Sequence, residues 1–206
     1  MMRILLVTIL FFAALESTYA SYIPKSFSGL FEQQKQRMFN RGVSKTQISL
    51  KYSYPGNIYM HSEGPDENVY YICNPEKVWI YNPPFIEGQE GRVVIGNSSK
   101  YCLSKIFDKL QNGLKSNKQY SVKEINKRSY ELNLSKENEK RLGYYKFKLV
   151  FESDQADFLA LKLMKMYVRN DDNPTILVKK KLKKAKKFKR TTFEFSPPKN
   201  TAIDYM

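Results

Sequence analysis

Along most of the chain, apolar residues recur at every second position. Ile48, Leu50, Tyr52 and Tyr54 alternate with Ser49, Lys51 and Ser53. Tyr130, Leu132 and Leu134 alternate with Glu131 and Asn133, and Tyr145, Phe147, Leu149 and Phe151 with Lys146 and Lys148. Successive side chains of a strand point to opposite faces, so each set predicts a strand with one apolar and one wet face. Residues 69–73 and 78–81 are apolar at every position, which predicts strands covered on both faces. Further strands are predicted over 58–61, 92–95, 120–125, 158–168, 175–178 and 192–195. Turn signals separate them: Pro55-Gly56, Gly64-Pro65, Asn74-Pro75 and Asp171-Asp172-Asn173-Pro174.

Two segments follow helical spacing instead. Over 26–38 the apolar positions are Phe27, Leu30, Phe31 and Met38. Over 99–114, Leu103, Ile106, Phe107, Leu110 and Leu114 fall on one face, with Ser98 or Ser99 to cap the start and Gly113 to mark the end. The pattern predicts a mainly β chain with helices (α+β), with roughly ten or eleven strands around a strong mid-chain helix. Short connections make the sheet mostly antiparallel. A strongly curved sheet with helices on its concave face would bury these positions.

The first twenty residues alter the picture. Arg3, the apolar run 4–15 and the small residues Ser17-Thr18-Tyr19-Ala20 have the three-part build of a secretory signal peptide, so cleavage is expected after Ala20. Residues 21–206 then form one domain, exported and soluble. The cut site lacks a cysteine, the two in the chain lying far downstream, so no lipid anchor is expected there. A net charge of +15 points to an anionic partner, and export makes nucleic acid the weaker choice. Nine of the twelve residues 179–190 are cations: Lys179, Lys180, Lys181, Lys183, Lys184, Lys186, Lys187, Lys189 and Arg190. This run reads equally as a solvated edge that discourages strand pairing or as a docking patch for anionic headgroups or an acidic partner. Cys73 and Cys102 either pair in an oxidising compartment or remain buried thiols.

Catalytic chemistry is hard to find. The chain has no glycine-rich phosphate loop and no nucleophile-elbow serine. His61 is the only histidine, so neither a metal site of useful spacing nor a base with an orienting carboxylate is evident. Neither an enzyme nor a cofactor is expected.

Trp79 lies in a stretch with a recognisable form. Val78-Trp79-Ile80-Tyr81-Asn82-Pro83, followed by Phe85, Glu87 and Gln89, resembles the strand and turn of LolA-like periplasmic lipoprotein carriers. Phe193-Glu194-Phe195-Ser196-Pro197-Pro198 with Asp204 is similar to that family's closing segment. Phe27 to Gln33 is similar to its first helix, and Tyr54-Pro55-Gly56 sits where it has a turn. The resemblance implies an incomplete, strongly curved antiparallel barrel of about eleven strands, closed by a helical lid over an apolar concave face.

It also implies a set of roles. Leu103, Ile106, Phe107, Leu110 and Leu114 would form the lid, and Met60, Ile72, Trp79 and Tyr81 the wall of an acyl-chain cavity. Tyr54 would stand at the lid latch in place of the family's arginine, and Ile58 would contact partners. Cargo would be acylated lipoprotein, taken by a monomer from an inner-membrane transporter to an outer-membrane acceptor. The alternatives are a LolA-like sensor of lipids or stress, or a cationic secreted protein that binds anionic surfaces.

Overall fold

A computed structural model describes residues 22–36, 42–64, 67–111 and 113–206. The signal-peptide reading of 1–20 and Met38 lie outside the described residues. Among them twelve strands form one open sheet. Six run in sequence as a meander: β1 (Ser26–Gln36), β2 (Val43–Ser53), β3 (Asn57–Gly64), β4 (Glu67–Cys73), β5 (Lys77–Asn82) and β6 (Gly91–Asn97). Then come helices α1 (Ser98–Tyr101) and α2 (Ser104–Leu110). A second meander follows: β7 (Tyr120–Asn126), β8 (Ser129–Leu134), helix α3 (Lys136–Leu142), β9 (Lys146–Phe151), β10 (Leu161–Tyr167) and β11 (Thr175–Lys184). β11 pairs with β1 and joins the halves, and β12 (Thr201–Tyr205) caps the other end beside β6. Every pairing is antiparallel except that of β12 with β6.

Period-two alternation decides which side chains meet. Phe27, Ile48, Leu50, Tyr52, Ile58, Leu132, Phe147, Leu149 and Phe151 are all buried in one cluster on the inner face. The helix stripe Leu103, Ile106, Phe107, Leu110 and Leu114 packs into the same cluster. This is a curved half-barrel filled from its concave side. Strands β3 to β6 bury a second, smaller cluster on the outer face: Ile72, Trp79, Tyr81 and Val93, covered by Phe195. The apolar-throughout reading of 69–73 and 78–81 is explained by these two clusters.

Several elements differ from expectation. Residues 26–36 form a strand, not a helix. The four-residue step from Phe27 to Phe31 fits both periods, and period two puts Leu30, opposite Ser49, on the outer face. Gly29 and Phe31 share the inner face, and the Phe31 ring lies over Gly29, where a Cβ would come within 2.4 Å of it. The mid-chain helix is two helices, because Cys102 is extended (φ −75°, ψ 125°) and breaks it. Residues 158–160 are a 3₁₀ turn that precedes β10, and Arg190–Phe193 is a 3₁₀ turn where a strand was expected. Helix α3 went unpredicted, although Ser135 caps it and Gly143 ends it with φ 74°.

Candidate functional site

The α1–α2 pair is held to the inner face by three separate ties. A disulfide joins Cys73, at the end of β4, to Cys102 between the helices, with Cα atoms 6.0 Å apart. Beside it the Tyr71 hydroxyl donates to the Tyr101 carbonyl (2.7 Å) and accepts from the Leu103 amide (2.9 Å). It thus satisfies backbone groups that the helix break leaves open. Burial pushes the Tyr71 phenol up to about 12.

The third tie lies further along α2. The Tyr52 hydroxyl donates to the Asp108 carboxylate at 2.6 Å, and the Gly56 amide donates to the same oxygen at 3.2 Å. Burial first, and then the Asp108 carboxylate, raise the Tyr52 pKa. Beneath this contact, Phe107 meets Phe27 and Tyr52 at ring distances of 5.7 and 5.4 Å, and Phe158 closes on Phe27 at 4.8 Å. The inner face is therefore lined with aromatic rings under a helix that is strapped at one end and latched in its middle.

The wall and latch residues expected from sequence need correction. Met60 lies on the inner face, packed against the main cluster. Ile72, Trp79 and Tyr81 lie on the opposite face, because Met60 pairs with Tyr71 whereas Ile72 pairs with Trp79 and Tyr59. They form no wall beneath the helices. Ile58 is only 1 % exposed, so it is a core residue and not a contact surface. Tyr54 is 46 % exposed and lines a surface cleft with Pro55, Asn57 and Phe188. The side chain that reaches the helix is Tyr52, two residues earlier. Sequence reading placed Tyr52 on an apolar strand face and overlooked Asp108. Its signal was the lone carboxylate set between Phe107 and Leu110 on a buried stripe.

The structure divides the basic run. Lys179 is largely buried, ion-paired to Glu152 at 3.0 Å and donating to the Leu159 carbonyl at 3.2 Å. It is not part of a docking patch. Lys180 pairs with Glu32 at 3.1 Å, and Arg190 with Glu194 at 2.9 Å. Hydrogen bonding from Gln34 and then Lys180 holds the Glu32 carboxyl below its ordinary value. Lys181, Lys183, Lys184, Lys186, Lys187 and Lys189 are exposed. Among the described residues no helix is long and apolar enough to cross a membrane, and no group of three or more His, Cys, Asp or Glu residues could hold a metal ion.

An open half-barrel with helices tied across its apolar inner face defines a class of lid-covered, one-sided cores. The chain belongs to the family described as outer membrane lipoprotein carrier protein LolA, whose model matches residues 24–196. An outer-membrane lipoprotein carrier protein from Idiomarina loihiensis is 40 % identical over 63 residues, which cover 31 % of this chain and 30 % of that relative. Among solved structures, an uncharacterized conserved protein from Thermus thermophilus superposes with a TM-score of 0.53. The match covers 90 % of this chain and 93 % of that one at 9 % identity, a likeness of fold alone.

Proposed function

We propose that this protein is a periplasmic carrier that shields the acyl chains of lipoproteins beneath α2 and moves them from an inner-membrane transporter to an outer-membrane acceptor. The supporting observation is the arrangement of a family member: one continuous apolar inner face, with α2 packed on it through Phe107 and Leu110. In this reading the helix rings occupy the place that acyl chains take. Leu103, Ile106, Phe107, Leu110 and Leu114 leave as a unit, and chains fill in against Phe27, Met60 and Met164.

The energetics favour direct transfer between partners. Three acyl chains carry on the order of 45 methylenes, about 36 kcal/mol of transfer free energy at roughly 0.8 kcal/mol each. Reversible affinities in water end near roughly 18–21 kcal/mol. Cargo would therefore not leave through water, and each transfer must run mouth to mouth. A face rich in aromatic and Met side chains accommodates different chains without a fixed fit.

The test is native mass spectrometry of the protein from a periplasmic fraction, with lipid analysis after denaturation. A stoichiometric lipoprotein or acylated peptide is expected. An apo mass that persists after incubation with lipoprotein donor membranes would overturn the carrier reading.

A further inference from the structure

The outer face of the sheet carries lysines that the fold itself does not use. Register places Lys183 beside Ser28, Ser28 beside Lys51, and Lys51 beside Tyr59 in one row. The Lys51 ammonium stands 5.1 Å over the Tyr59 ring. The next row runs from Lys181 through Leu30 and Ser49 to His61 and Tyr70, whose rings stack at 4.0 Å. At the end of these rows a surface cleft opens, lined by Tyr54, Asn57, Asn74, Lys187, Phe188 and Arg190. Among the described residues Lys51, Lys181, Lys183 and Lys187 have no carboxylate partner. These four charges are thus held on one face without an ion-pair partner, next to Lys45 and Lys180, which Glu32 neutralises.

We propose that this outer face docks on the surface of a bilayer containing anionic phospholipids. The lysines are spread over β11, β2 and the segment after β11, with strands roughly 5 Å apart. Such an array suits many mobile headgroups better than one fixed acceptor. Lysines are compact point charges on flexible stems, without the fixed fork that favours one bidentate partner. Half-exposed tyrosines beside them match the chemistry of the headgroup region, where amphipathic rings settle. The helices lie on the opposite face, so docking leaves α2 free to move. The inference stands apart from the cargo assignment and concerns a surface that acyl chains do not touch.

The test is flotation of the purified protein with phosphatidylcholine vesicles, with and without phosphatidylglycerol, at low and near-physiological salt. Partitioning onto the anionic vesicles alone is expected, weakening as salt screens the charges. Each lysine near such a surface contributes roughly fivefold. Replacing Lys51, Lys181, Lys183 and Lys187 by Gln should therefore lower partitioning at least ~50-fold. A control with the same charge change on exposed residues around the β7 edge and α3 (Lys118, Lys127, Lys136 and Lys140 to Gln) should lose less than about threefold, since those residues lie at the far end of the sheet from Lys51 and Lys183. Equal losses in the two variants would reduce the effect to net charge and overturn the assignment. No binding to anionic vesicles at low salt would overturn it as well and direct the search to an acidic protein. Matching melting temperatures for the three proteins confirm that binding, not folding, is being read.

Discussion

Replacing Tyr52 by Phe removes one oxygen atom and tests the latch. The Tyr52 ring is fully buried and held between Phe27 and Phe107 at 5.2 and 5.4 Å, so the variant keeps its packing. It loses the 2.6 Å hydrogen bond to Asp108, while the Gly56 amide still reaches that carboxylate. A hydrogen bond to a charged group contributes about 1.5–3 kcal/mol. Asp108 is partly exposed, and water can take the vacated place, which favours the lower figure. About 1.5 kcal/mol is roughly a tenfold shift toward the form with α2 lifted. Amide hydrogen exchange measures this directly, since local opening and global unfolding differ in which amides they expose. The α2 amides should exchange about tenfold faster, with those of β4 and β5 unchanged. Tyr54→Phe should leave all of them unchanged. Unaltered exchange in α2, or equal acceleration through β4 and β5, would refute the latch.

Two further outcomes follow from the ties and the charges. Replacing both Cys73 and Cys102 by Ser opens a loop of sequence separation 29. The chain-entropy relation gives about 3.5 kcal/mol, or roughly 7–14 °C in melting temperature for a domain of this size; a fall below about 2 °C in calorimetry would contradict it. Arg169, in the turn just past β10, donates to Glu139 of α3 at 2.8 Å, and this hydrogen bond holds the Glu139 carboxyl below its ordinary value. The resulting stabilisation is present above the ordinary carboxylate range and is lost as pH falls through the lowered pKa. Carboxyl NMR should show that depressed titration, and Arg169→Gln should return it to the ordinary range.

The strands were largely legible because period two is a local property of the sequence. The faces were not, because face depends on which strand is the neighbour. Met60 and Trp79 are equally apolar in sequence, and only the pairing of Met60 with Tyr71 and of Ile72 with Trp79 separates them. Phe27 and Phe31 illustrate a second limit: a spacing of four satisfies both periods, and only the pairing with β2 shows that Leu30 faces outward. The break at Cys102 is tertiary in origin, since an extended residue there delivers its sulfur to Cys73. Likewise the tyrosine that holds the helix is chosen by depth. Tyr52 is buried in the strand, whereas Tyr54 has passed beyond its end.

The single seam between β1 and β11 has a consequence for how the chain is made. Each meander forms from neighbours in sequence, so either half can assemble early through short-range contacts. The β1 edge, however, finds β11 only after most of the chain has been synthesised. Until then Phe27, Leu30 and Phe31 sit on an open strand edge, the kind of template that draws other chains into aggregates. A holdase that keeps the nascent chain extended would guard this edge first. Assembly of the two halves would then depend on one late, long-range zippering event, with a yield sensitive to concentration and crowding.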